Sequence, residues 1–246
     1  MEIFFVEKDK IKNNEIIIDD SDYNHIVNVL RYKKDDIINV RDGFGLEYKC
    51  NIFEIKNSKL ILKIIDTKEI KSEPNKKITL YQGMPKKDKL EYIVQKSVEL
   101  GVYKIVPVNF SRSIPIIDNK KNEKINTRLN SISLSASKQS GRGIVPEVSK
   151  LISFNEAIEL SKKEDIVLVP NETEQTSMEN TRKVIKDLLN YNNIGVFIGP
   201  EGGFEKKELD MLSNINSKSI TLGKRILRTE TASLAVLSMM LYELED

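Results

Sequence analysis

One cysteine and one histidine in 246 residues leave almost nothing from which to build a zinc or iron centre, since such sites gather several Cys or His ligands. Cys50 cannot close an internal disulfide, and it falls in the strand-like stretch Tyr48-Lys49-Cys50-Asn51-Ile52, where a half-buried side chain is expected rather than a nucleophile. No apolar run is long enough to span a bilayer, and the opening MEIFFVEKDK has no basic region followed by a long apolar segment and cleavage site. These absences predict a cytoplasmic protein with no metal and no membrane partner. An excess of charge is missing too, because 39 basic against 37 acidic residues leave a net of only +2. The distribution is uneven, however: residues 101 to 150 carry nine Lys or Arg and three Asp or Glu, which marks a local basic surface suited to phosphate or to solvation.

What is present divides near residue 72. Residues 1–71 read as short strands: Ile3 to Val6, Ile16 to Ile18, Ile37 to Arg41, Glu47 to Ile55 and Leu60 to Ile65. Asp42-Gly43 supplies a hairpin turn, and a helix is expected over Asp22 to Leu30. That pattern describes a small β-barrel with one helix. A charged, Pro-bearing linker follows at Lys68 to Lys77. In 72–246, strands alternate with helices. The strands are expected at Ile78 to Gln82, Ile105 to Val108, Ile166 to Val169, Ile194 to Ile198 and Ser219 to Leu222. Helices fall at Lys87 to Leu100, Lys120 to Ser140, Met178 to Leu189, Lys206 to Leu212 and Thr229 to Leu244. Such alternation predicts an α/β domain with a mainly parallel sheet covered on both faces.

Two loops near the end of the chain carry the chemistry. GPEGGF (Gly199 to Phe204) follows the apolar run Val196-Phe197-Ile198, and LGKRILRTETA (Leu222 to Ala232) follows about twenty residues later. Each stands where a strand hands over to a helix, the place where an open α/β sheet puts its ligand crevice. Three glycines permit positive φ and close approach of the backbone, so outward amides could bind a phosphate, a carboxylate or a polar heterocycle. No Gly-Lys-Ser/Thr follows, and the dinucleotide fingerprint is absent, which disfavours a P-loop ATPase or a Rossmann dehydrogenase. Thr229 or Thr231 is suited to cap the final helix, whose run of Ala, Leu, Val and Met from Ala232 to Leu241 is expected to be buried on most sides. Arg225 and Arg228 flank Ile226-Leu227 in the turn before that helix, where solvation alone is a weak explanation for a charge.

These residues resemble the bacterial RsmE family of SPOUT-class methyltransferases. The anchors are His25 to Arg31, Asp42-Gly43, QKSVELGV (Gln95 to Val102), Gln139 with Arg142, GPEGG and LGKRILRTETA, spread over nearly the whole chain. The resemblance implies a PUA-like barrel over 1–71 and a SPOUT domain with a trefoil knot over 72–246. It also implies a homodimer and S-adenosylmethionine as cofactor. The reaction implied is methylation of N-3 of one uridine in 16S ribosomal RNA, met as RNA or as the small ribosomal subunit. The cofactor positions would be Gly199, Pro200, Gly202, Leu222, Gly223, Ile226, Leu227, Thr231 and Ala232. Arg228 would stabilise charge on the uracil, and either Glu201 or Glu230 would take its proton, with Glu201 preferred. RNA contacts would come from His25, Arg31, Lys87, Arg112, Gln139 and Arg142. Another RNA as substrate, or a non-catalytic RNA-binding assembly factor, are the alternatives. The chain departs from the family at Lys138, where an acid is usual, and at Glu205, where a capping Ser is usual.

Overall fold

The computed structural model describes residues 3–19, 21–86, 89–113, 118–171 and 177–245. Its contacts separate two compact units, one of residues 1–73 with 137–145 and one of residues 74–136 with 146–246. The first unit therefore holds a short segment that local sequence pattern assigns to the second.

The first unit is a six-stranded sheet of β1 (Phe4–Phe5), β2 (Ile11–Lys12), β3 (Glu15–Ile18), β4 (Ile37–Arg41), β5 (Leu46–Lys56) and β6 (Lys59–Glu69), in the order β1-β4-β5-β6-β3-β2. All pairs are antiparallel except β1 with β4. Strand periodicity sends Ile38, Val40, Cys50, Ile52, Leu60 and Leu62 into one core. Cys50 is fully buried rather than half-buried, and burial pushes its thiol up to about 12, which leaves it inert as a nucleophile. The Asp42 carboxylate accepts the Phe44 and Leu46 amides at 2.8 and 3.1 Å, while Gly43 takes φ 74°, so the Asp-Gly dipeptide makes the β4–β5 turn. β6 runs four residues past its expected end because β5 pairs with it as far as Leu46 opposite Glu69. The expected single helix is α1 (Ser21–Asn24) running into a π-helical turn, His25–Val29.

Residues 137–145 are fixed to this unit by charge. Glu73 accepts Nε and Nη2 of Arg142 at 2.9 and 2.7 Å and also the amides of Gly143 and Ile144. Arg41 donates to the carbonyls of Gly141 and Arg142 at 2.7 and 2.8 Å. The Arg142 side chain is only 5% exposed, so the expected RNA contact is instead a buried structural ion pair. Lys138 likewise pairs with Asp22 at 2.9 Å and lies over the Phe4 ring. Its departure from the family pattern is neutralised within the unit.

The second unit is a parallel sheet of β7 (Lys77–Gly83), β8 (Lys104–Asn109), β9 (Glu147–Val148), β10 (Ile152–Ser153), β11 (Ile166–Pro170), β12 (Asn193–Ile198) and β13 (Ser217–Ile220). The order is β10-β8-β7-β12-β11-β13, with β9 on β8. β7, β11 and β12 are buried along almost their whole length, as parallel strands covered on both faces must be. One face packs on α2 (Lys89–Glu99), α3 (Asn119–Ser140), α5 (Met178–Asp187) and α7 (Thr229–Leu244). The other packs on α4 (Phe154–Ser161) and α6 (Lys206–Ser213), around the Tyr81–Phe197 ring stack at 4.4 Å.

Three local expectations are corrected. α4 is an unforeseen helix, opened by a capping box in which Ser153 and Glu156 exchange hydrogen bonds. β13 lies two residues earlier than expected, because the Thr181 hydroxyl of α5 binds both the N–H and the C=O of Thr221 and takes the place of a strand partner. α7 is buried along one stripe from Thr229 to Leu244 rather than on most sides, with Thr231, Ser238 and Tyr242 exposed.

Replacing Glu73 by Ala leaves a buried guanidinium and two amides without their acceptor, so urea denaturation should show the first unit destabilised by roughly 3–5 kcal/mol. A loss under about 1 kcal/mol would mean the pair behaves like an exposed one.

Candidate functional site

The carboxyl ends of β7, β12 and β11 converge, and both Gly-bearing loops leave from this edge. Their bases are tied together by three buried side chains. The Gln82 amide donates to Thr229 Oγ1 at 2.9 Å, and the Thr229 hydroxyl donates to the Gly199 carbonyl at 2.8 Å. Ser233 donates to Gln82 Oε1. Gln82 and Ser233 have no exposed surface, so these polar groups are satisfied by one another and fix one arrangement. Thr229 therefore serves as a tie between loops. The N-cap position belongs to Arg228, which makes no side-chain cap.

The same crowding explains Gly83, the last residue of β7 and one position beyond the strand expected at Ile78 to Gln82. A Cβ there would stand 2.6 Å from the Pro200 nitrogen and 2.9 Å from the Gly199 carbonyl carbon. Only a residue without a side chain lets the β7 backbone run against the loop.

Between the loops opens a cavity of about 380 Å³. Of the residues that the resemblance assigns to cofactor or catalysis, Gly199, Pro200, Glu201, Leu222, Ile226, Leu227, Arg228 and Ala232 line it, joined by Pro170, Asn171, Ile198, Gly203, Phe204, Arg225 and Thr229. Three expected residues stand outside the lining: Gly202, Gly223 and Thr231. Gly202 faces Arg112, whose guanidinium donates to its carbonyl at 2.9 Å and whose Cβ would sit 2.9 Å from a Cβ at Gly202. Gly223 takes φ 113° and supplies the bend out of β13, and Thr231 is exposed on α7. The lining is apolar with convergent polar groups, and the volume fits the range of roughly 300–1,000 Å³ of small-molecule sites.

Charge at the rim is organised. Arg228 is exposed and has no ion pair among the described residues, leaving its guanidinium available to an anion. Glu201 Oε1 accepts the Lys86 amide at 3.0 Å and meets Lys89 Nζ at 3.3 Å. Partial burial pushes the Glu201 carboxyl up, but the hydrogen bonds and the Lys89 charge outweigh it and hold the group below its ordinary value. Below the loop, Glu208 of α6 accepts the amides of Glu205 and Ser111 at 2.7 and 2.8 Å. The helix start thus has a carboxylate acceptor although Ser is absent at Glu205.

A family model described as an RNA methyltransferase domain matches residues 71–241, and one described as an RNA methyltransferase PUA domain matches residues 18–65. The chain is 32% identical to the ribosomal RNA small subunit methyltransferase E of Bacillus subtilis, over 100% of this chain and 98% of that one. The chain belongs to the RsmE family. Among solved structures, the RsmE of Neisseria gonorrhoeae bound to S-adenosyl methionine is 29% identical, with a TM-score of 0.82, 98% of this chain and 97% of that one covered. A protein from Legionella pneumophila in complex with the cofactor SAM is 25% identical, also with a TM-score of 0.82, covering 98% and 96%. The RsmE architecture is present here as a PUA-like unit and a parallel-sheet α/β unit.

The residues that the RsmE resemblance assigns to RNA fall in both units. His25 is half-buried with its ring tilted against Phe4 at 6.2 Å, Arg31 is exposed at φ 60°, and Gln139 is exposed on the last turn of α3. Arg112 belongs to the second unit, half-exposed against the GPEGG turn. Lys87 lies outside the described residues. Lys89 was not foreseen. Its partners Glu201 and Glu230 stand more than a hundred residues away, and no local pattern marks it among the lysines beside it.

Gly83→Ala should cost about 1–3 kcal/mol through overpacking and lower the melting temperature, because the nearest obstacles are backbone atoms that cannot rotate away. An unchanged melting temperature would show that the loop yields.

Proposed function

We propose that this chain transfers a methyl group from S-adenosylmethionine to N-3 of a uridine in 16S ribosomal RNA, acting in the cytoplasm as a homodimer on the RNA or the small subunit. The observation that carries this reading is the convergence on one cavity of both Gly-bearing loops and Arg228, which has no ion pair among the described residues. The residues fit the cofactor. Apolar Leu222, Ile226, Leu227 and Phe204 would cover an adenine, and the tight Gly199 and Gly203 backbone admits close approach. Ile226 is 88% exposed at the rim, an unfavourable placement that a bound ligand or a second subunit would relieve. The trefoil knot belongs to this reading as well.

When bound, the cofactor supplies an activated methyl on a sulfonium, so no metal or covalent enzyme intermediate is required. The protein's work is alignment and charge. Uracil N-3 carries a proton, and its loss spreads negative charge onto the flanking carbonyl oxygens. Arg228 stands at the cavity free to stabilise that charge. Glu201 is held ionised and can accept the proton. The hydrogen bonds that keep it ionised also weaken it as a base, so more of the barrier reduction falls to Arg228. Arg112 and the exposed Gln139, with His25, Arg31 and Lys87, are the proposed RNA contacts. Arg142 is withdrawn from that set by its pairing with Glu73.

Incubation with labelled cofactor and 16S RNA or small subunits from a strain lacking the gene should yield 3-methyluridine, identified by mass spectrometry of the nucleosides. Arg228→Ala should reduce kcat by about 10²–10³-fold while leaving cofactor affinity nearly unchanged. Binding of RNA without any 3-methyluridine, or methyl found on another base, would overturn the proposal.

A further inference from the structure

Among the charged groups outside the cavity lining, one is placed to govern those inside. Lys89, the first residue of α2, directs Nζ to Glu201 Oε1 at 3.3 Å and to Glu230 Oε2 at 3.2 Å. Glu201 belongs to the GPEGG loop and Glu230 to the first turn of α7, so a single ammonium bridges the same loop and helix start that Thr229 joins. All three side chains are largely withdrawn from water, at 29%, 28% and 18% exposure. Screening is correspondingly weaker than at an open surface. Glu230 Oε2 is buried and has no hydrogen bond among the described residues, where the charge of Lys89 compensates it. Without that ammonium, two carboxylates would face each other beside the cavity, and like charges in a poorly solvated place repel.

We propose that Lys89 is a positioning residue for methyl transfer, holding Glu201 at the cavity rim against Glu230 so that the carboxylate meets the target base in one orientation. Lys89 touches neither the cavity nor the reacting atoms. Its effect passes through Glu201, which lines the cavity. The contribution is one of alignment, where displacement by about 1 Å can cost on the order of 10²-fold in rate. The inference rests on the methyltransferase reading above.

A double-mutant cycle tests it on the full chain. Lys89→Met and Glu201→Gln should each lower kcat by roughly 10- to 100-fold, with KM for RNA nearly unchanged. The double variant should be no slower than the slower single one, because both changes remove the same alignment. Lys89→Arg should restore most of the rate, and cofactor affinity by calorimetry should stay within about threefold in every variant. Three results would overturn the inference: Lys89→Met with wild-type kcat, independent losses that multiply in the double variant, or a Lys89→Met loss that Arg fails to rescue and that follows a fall in melting temperature. Absence of 3-methyluridine with the unaltered chain would instead overturn the reading beneath it.

Discussion

The hydrogen bond from Thr229 to the Gly199 carbonyl is the joint on which the site depends. Two separate loops can enclose a ligand only if their bases have one relative position, and here that position is set in the dry interior, where Gln82 and Ser233 complete the set of donors and acceptors. A buried polar group without a partner costs about 1–3 kcal/mol. Slippage of either loop therefore costs more than a surface contact could recover. Gly83 works with this joint by removing the side chain that would hold the loop away.

Charge is handled differently in the two units. In the first, Arg41, Glu73 and Arg142 use their charge to fix a short segment to a sheet, and four backbone atoms of that segment are among the groups they satisfy. At the cavity, carboxylates are paired through one shared lysine, while Arg228 has no counter-ion among the described residues. An enzyme that must stabilise transient negative charge benefits from a cation already in place and not neutralised, because no reorganisation is then needed during the reaction.

Much of the architecture was legible from period and punctuation. The alternation in Glu47 to Ile55 and Leu60 to Ile65 marks the strands that carry Cys50, Ile52, Leu60 and Leu62 into the first core, and the Asp42-Gly43 turn and the span of α7 followed from local residue chemistry. The cavity was legible through its two motifs, since twelve of the residues they contain line it. What escaped was set by partners distant in the chain. Arg142 looks like a free turn residue until Glu73 is found beside it, and Gly83 reads as an ordinary strand end until Pro200 is placed against it. β13 was misplaced because a threonine from α5 completes its hydrogen bonding, a substitution that no strand pattern records. The α4 helix was different: its Ser153-Phe-Asn-Glu156 signal was local and available, but the short strand before it and the absence of a glycine boundary concealed it.

The joint at the cavity also sets an order of events. Gln82 and Thr229 are separated by 147 positions, and Gln82 and Ser233 by 151, so a ribosome releases the first partner long before the second exists. A growing chain can assemble its first sheet and several parallel strands while the ligand chamber still lacks a wall. Competence arrives only when the final helix docks, which makes every shortened translation product that misses this helix unable to form the chamber, however well its earlier parts have folded.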